Sequence, residues 1–367
     1  MKVILYIGHH KVGSTALQAF LGQNVAALMR AGLLYPAVES QGFSHMLRRA
    51  LQPDAPRSPL SVNMREPHSA LAYRMMAEVS DRKVPPQFRE LPAVPQMIAA
   101  LRNQAAQLDP DTVLLCSEVF SNFADVAPDL IDRVKAIWPE ADWQVYCALR
   151  RPDDYLVSWH GQRLKAGERL PPLSDCATGY LDTIHFDYRK ALEPWIARFG
   201  AEHVTIRDYA QVAEAGGSVK DFCRQTALDL PRGLFPQPRA NPSLHRAVME
   251  IARQANEALP PASAGRLRRF LMRMGGELDL PEVAQVEMLG ERLRARLLER
   301  FRPIHGWLTA ETGADGFFPD PEDLARPRPV PERAAMGRAL DQLDAARLAE
   351  LEDDAARGFV AALRERR

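Results

Sequence analysis

The feature that most restricts this chain is Val3-Ile4-Leu5-Tyr6-Ile7, a continuous apolar run followed at once by Gly8-His9-His10-Lys11-Val12-Gly13-Ser14-Thr15. A strand with no polar alternation is buried on both faces, and the usual home for such a strand is the middle of a parallel sheet covered by helices. Beyond the loop, Leu17, Phe20, Leu21, Val25 and Leu28 recur at helical spacing up to Gly32, so residues 14–30 are predicted as an amphipathic helix. The first unit is therefore strand, loop, helix.

The same alternation continues. Strands are expected at 112–116, 144–149 and 203–206, and helices at 94–107, 131–138 and 188–199, the last closed by Gly200. Strands alternating with helices predict an α/β fold with a mainly parallel central sheet flanked by helices. Residues 50–95 carry prolines and no sustained period, which predicts an irregular insertion with one helix near 69–79. The half after residue 244 reads as mostly helical. Five prolines crowd 319–331, and 333–366 returns to Ala, Leu, Glu and Arg at helical spacing. The expected division is a main domain over 1–318, a Pro-rich linker at 319–332 and a helical extension at 333–367, a candidate for homo-oligomer formation or docking.

Composition removes several function classes. Lys plus Arg and Asp plus Glu are 47 each, a net charge of zero, which argues against nonspecific nucleic-acid binding. The opening apolar segment is too short for a signal sequence and no run reaches membrane-spanning length, so a cytoplasmic protein without a transmembrane segment is expected. Cys116, Cys147, Cys176 and Cys223 follow neither a metal-binding nor a compact disulfide spacing and read as reduced thiols.

Two loops carry chemistry. In the first, glycines let the backbone close on a ligand, Lys11 supplies a cation, Ser14 and Thr15 supply hydroxyls, and the start of a helix favours anions. It is not the nucleoside-triphosphate loop, because Lys11 precedes Gly13 rather than following it. The second is Arg150-Arg151-Pro152-Asp153-Asp154, which leaves the third strand and enters a helix through Pro152. Ser158 lies eight residues after Arg150, about two turns into that helix, and an arginine so placed suits a phosphate.

Residues 6–18, with Asn24 and Gly32-Leu33-Leu34-Tyr35-Pro36, resemble the 5′-phosphosulfate loop and first helix of bacterial sulfotransferases that use 3′-phosphoadenosine-5′-phosphosulfate (PAPS). Val12 stands where that loop carries a hydroxyl residue. Arg150 and Ser158 match the family's 3′-phosphate pair by spacing, with Arg151 as the adjacent alternate. The likeness continues more weakly through 187–222 and Asn241. It implies a P-loop-like sulfotransferase fold, PAPS held by Lys11, Val12, Gly13, Ser14, Thr15, Arg150 and Ser158, and no metal. It further implies sulfuryl transfer to a hydroxyl or amine of a carbohydrate, glycolipid or small-molecule acceptor.

Such a transfer needs a base for the acceptor proton and positive charge at the leaving oxygens, for which Lys11 is the candidate. Glu118 is the first choice of base, because Cys116-Ser117-Glu118 ends the second predicted strand at the same sheet edge. His45 is the second choice, suited to proton transfer near neutral pH. The rival readings are a nucleotide-dependent phosphotransferase with an aberrant loop and a non-catalytic scaffold that keeps the nucleotide fold.

Overall fold

Five strands pair side by side in one sheet: β1 (Lys2–Tyr6), β2 (Leu33–Leu34), β3 (Thr112–Cys116), β4 (Asp142–Leu149) and β5 (Val204–Asp208), in the order β2-β3-β1-β4-β5. Every pairing is parallel. The computed structural model describes residues 1–53, 59–88, 90–236 and 243–366. Asn241 and parts of the 50–95 stretch lie outside them. The central strands follow from the sequence as expected: Val3, Ile4 and Leu5 of β1 and Val113, Leu114 and Leu115 of β3 have no solvent exposure. An apolar run shielded on both faces is the arrangement in which parallel strands persist.

The chain divides into two compact units. The first comprises Met1–Arg150, Asp187–Ala240 and Gly306–Phe317 and contains the whole sheet. Its helices include α1 (Ser14–Gln23), α2 (Val25–Arg30), α3 (Ser40–Leu51), α4 (Pro67–Val79) and α5 (Val94–Leu108). The single helix expected over 14–30 is two helices, broken at Asn24. The Asn24 side chain bonds back to the Phe20 carbonyl and outward to both the amide and the carbonyl of Phe235, which stops the helix there. The strand β2, two residues at the sheet edge, carries too short a signal to be read from sequence.

Within 50–95 the helix expected near 69–79 is α4 (Pro67–Val79), preceded by one short helical turn at Val62–Arg65. Pro67 opens α4 in the first turn, where its missing N–H is not needed. The same end of α4 is tied to the end of β3: His68 Nδ1 accepts from the Cys116 amide at 3.1 Å and the Ser69 hydroxyl meets that of Ser117 at 2.8 Å. From α1, Gln18 Nε2 donates to the Ser69 hydroxyl and to the Cys116 carbonyl.

The second unit comprises Arg151–Phe186, Asn241–His305 and Phe318–Arg367. It holds α6 (Pro152–Ala166), α7 (Arg246–Ala258), α8 (Pro261–Met274), α9 (Glu332–Gln342) and α10 (Asp354–Glu365), with a short parallel ladder of β6 (Val286–Glu287) and β7 (Val330–Pro331). The expected division at 318 is therefore not where the chain divides: 319–332 and 333–366 are parts of this unit. The Pro-rich segment forms β7, and its Asp323 and Arg328 pair with Arg151 and Asp153. Prolines shorten a ladder without preventing it at an edge.

Candidate functional site

In the order β2-β3-β1-β4-β5, β1 leads away to β2 on one side and β3 leads to β4 on the other. Right-handed crossovers then carry the two connections over opposite faces, leaving a crevice at the carboxyl ends of the neighbours β1 and β3. The loop 8–15 leaves β1 at this point and Ser117-Glu118 leaves β3. The ladder extends one step further, since the Ser117 amide donates to the Tyr6 carbonyl at 3.0 Å. That step brings Glu118 against Gly8, where a Cβ on the glycine would lie 2.8 Å from the Glu118 Cβ.

The loop backbone is unusual. Gly8, Lys11 and Gly13 all have positive φ, at 65°, 65° and 85°. Glycine adopts this region freely, whereas for Lys11 it costs about 1 kcal/mol and is held by its surroundings. Val12 between them is fully buried, and its carbonyl accepts from the Ser218 hydroxyl. The apolar residue at this position anchors the loop by packing. Gly13 is the N-cap of α1, no side chain caps that helix, and its first turn has no acidic residue. The positive end of α1 is thus without a side-chain cap, which suits an anion.

Glu118 faces this loop. Its carboxyl group stands by the Ser14 hydroxyl, and Oε2 is buried with no hydrogen-bond partner among the described residues. Burial pushes its pKa above the usual carboxylate range, while its own backbone amide, Ser14, Lys11 and Arg65 oppose the shift. Two residues that the sequence reading missed are nearby in charge: Glu66, raised by burial and by Glu118, and Arg65, which grips Glu66 Oε1 through both Nε and a terminal nitrogen at 2.8 and 2.6 Å. Nothing in Met64-Arg65-Glu66-Pro67 marks them except that Glu66-Pro67 reads as a helix start. His10, also outside the expected set, is driven down to about 4 by burial, with Asn122 donating to its Nε2 at 3.2 Å.

Arg150 follows β4, the other neighbour of β1, so Lys11, Glu118 and Arg150 share one sheet edge in the first unit. Its carbonyl accepts from the Tyr188 hydroxyl at 2.6 Å, and its guanidinium stands 5.8 Å from the Tyr209 ring centre. The unit boundary falls between Arg150 and Arg151. Ser158 lies half-buried on α6 in the second unit.

Arg151 does not share the arrangement of Arg150. It pairs with Asp153 through two nitrogens at 2.8 and 3.1 Å and with Asp323 at 2.8 Å. Asp153, 1% exposed, also takes Arg294 and Arg328. His45 is apart from the loop as well. Its Nε2 lies 3.1 Å from the carbonyl of Gly22, eight residues after Ser14 and about 12 Å further along the helix. Burial lowers its pKa. On α8, Arg266 pairs with Asp353 and Arg273 with Glu350.

No family model matches this chain. It is similar to a protein of Archaeoglobus fulgidus called "Uncharacterized protein", 28% identical over 165 residues. That match takes in 43% of this chain and 43% of the relative, so the likeness spans less than half of either protein. No solved structure matches. Among the described residues, no group of three or more His, Cys, Asp or Glu is placed to hold a metal ion, and no helix is long and apolar enough to cross a membrane. The cysteines are free thiols, Cys116 and Cys147 within the sheet.

Proposed function

We propose that the chain is a PAPS-dependent sulfotransferase. The observation that carries the reading is the buried carboxyl group of Glu118 beside the β1 loop at the switch point of the sheet, with Lys11 and the uncapped start of α1 on the same loop. The residues fit the nucleotide. A 5′-phosphosulfate is polyanionic and suits a lysine with a helix N-terminus, and a second cation, Arg150, follows the adjacent strand and suits a 3′-phosphate.

When bound, PAPS supplies the sulfuryl group and a phosphate as leaving group. Lys11 neutralises charge on the oxygen that leaves, which is where positive charge lowers the barrier most. Glu118 takes the proton from the acceptor hydroxyl or amine as its oxygen or nitrogen bonds to sulfur. A carboxylate whose pKa is raised by burial is a stronger base than an exposed one. Ser14 stands by that carboxyl group and favours its ionised form. The hydroxyl-bearing acceptor is read as a carbohydrate, glycolipid or other small molecule.

A thermal-shift titration with 3′-phosphoadenosine 5′-phosphate tests the nucleotide half of the proposal. The intact protein should be stabilised by about 2.7 kcal/mol at a hundredfold excess over Kd, and Lys11→Ala and Arg150→Ala should reduce that gain. Absence of any shift overturns the reading, and stabilisation by magnesium-ATP in preference to the 3′-phosphorylated nucleotide would favour a phosphotransferase. Radiolabelled PAPS with a cell lysate then identifies the acceptor by its labelled product.

A further inference from the structure

Helix α3 shows two faces of different character. Gly42, His45 and Met46 are buried, with His45 fixed on the Gly22 carbonyl. Phe43, Leu47 and Leu51, spaced by four, are 49%, 50% and 73% exposed. Seven large apolar side chains are exposed among the described residues, and three of them form this one stripe. Isolated exposed apolar residues need no explanation, but a stripe at helical spacing on a folded surface does.

The charged side chains of α3 itself have one sign. Helix α3 contains no Asp or Glu, and the carboxylate that precedes it, Glu39, is used as the N-cap, accepting from the amides of Gln41 and Gly42 at 2.6 Å each. Toward the other end stand Arg48, which is exposed and makes no ion pair among the described residues, and Arg49, set 5.3 Å from the Phe235 ring centre. Arg30 of α2 reaches the same end and donates to the Ala50 carbonyl at 2.9 Å. An apolar stripe edged by arginines is the pattern of a helix that lies in the plane of an anionic lipid surface.

The stripe is small for a contact between two copies. Three partly exposed side chains offer on the order of 300 Å² of apolar surface, less than half of the about 800 Å² per partner that a stable protein interface buries. Insertion into a headgroup layer has no such requirement, since each side chain that enters gains separately. We infer that α3 docks this protein on anionic membrane surfaces, with Phe43, Leu47 and Leu51 dipping among the acyl chains and Arg48 and Arg30 on the phosphates. The inference is independent of the nucleotide reading.

Co-sedimentation of the full chain with vesicles tests it, using phosphatidylcholine alone and phosphatidylcholine with one-quarter phosphatidylglycerol. The intact protein should bind the anionic vesicles at low salt and much less at 0.5 M salt. The variant Phe43→Ser/Leu47→Ser/Leu51→Ser should bind at least tenfold more weakly, and Arg48→Glu should weaken binding to the anionic vesicles. Unchanged circular dichroism and melting temperature show that the variants fold, and Leu47→Ser alone is the milder substitution if the triple variant does not. Failure to bind the anionic vesicles overturns the inference, as does binding that survives the triple substitution. A concentration-dependent dimer abolished by that substitution, without vesicle binding, would make the stripe a contact between copies.

Discussion

Ser14, first residue of the helix after β1, stands by the carboxyl group of Glu118, two residues past the end of β3, and its hydroxyl favours the ionised form of that group. The two strand ends that flank the switch point thus meet at the carboxyl group that the proposed transfer uses. Glu118 titrates above its usual range because it is buried. In the unfolded chain it ionises near the usual value, so between the two values the folded protein binds the extra proton and stability falls as pH rises. Glu118→Gln removes this cost. Its stability relative to the natural chain should therefore increase from pH 4 to pH 8 in urea unfolding, while binding of 3′-phosphoadenosine 5′-phosphate persists and sulfuryl transfer is lost. An active Glu118→Gln enzyme would move the base to another residue.

Gly8 is required for two reasons that add. Its φ of 65° is costly for a side chain, and a Cβ there would meet Glu118 Cβ at 2.8 Å and Glu118 Cα at 3.0 Å. The second obstacle is backbone of the neighbouring strand, which cannot turn aside. At Gly13 the obstacle is the Ser218 hydroxyl oxygen, a side-chain atom that can turn aside by giving up its long bond to the Val12 carbonyl. Gly8→Ala should cost about 2–3 kcal/mol and Gly13→Ala nearer 1 kcal/mol, measured by urea unfolding. Equal costs would mean that strain in φ alone decides both.

Asp153 is the centre of a buried ionic group in the second unit. Burial pushes its pKa up, but the hydrogen bonds and charges of Arg151, Arg294 and Arg328 outweigh that and hold it below the usual carboxylate range. Its contribution is present above the unfolded value near 3.8 and is lost as pH falls through the lower folded value. Arg294, itself 1% exposed, keeps one carboxylate, Glu287, and the Leu324 carbonyl when Asp153 is neutralised. Asp153→Asn should destabilise by about 3 kcal/mol or more at pH 7, because it strands buried guanidinium charge, and the difference from the natural chain should shrink on acidification below pH 4.

The parts of the fold legible in sequence are those set by local pattern. β1 and β3 are apolar runs, and each is followed within a few residues by a group that the proposed transfer uses, Lys11 in one case and Glu118 in the other. Their meeting was readable because parallel strands present their carboxyl ends on one edge. What local pattern does not encode is long-range pairing. Arg151 stands beside Arg150 and is chemically identical, yet its partners include Asp323, whose position no spacing announces. The same distance hides the character of 319–332, where prolines suggest a linker while Arg328 donates its amide to Glu287 at 2.6 Å. Glu66 escaped notice because its significance comes from α4 being tied to β3 through His68 and Ser69, a contact between segments nearly fifty residues apart.

Glu332, first residue of α9, gives the second unit a response to pH near neutrality. Burial raises its pKa to about 7, Glu250 adds to the rise and Arg253 opposes it. The unfolded carboxyl group ionises near 4.5, so the folded chain holds a proton that the unfolded chain has released throughout the interval from there to about 7. Stability from this group accordingly falls as pH rises across that interval, and above it the full cost of a buried carboxylate is present. Glu332→Gln should match the natural chain at pH 4 and exceed it in urea midpoint at pH 8, with the gain developing between pH 5 and pH 7. Glu250→Gln removes the like charge and should lower the Glu332 titration point, narrowing the interval. A Glu332→Gln variant whose advantage is constant from pH 4 to pH 8 would show that the substitution acts through packing rather than through the buried charge.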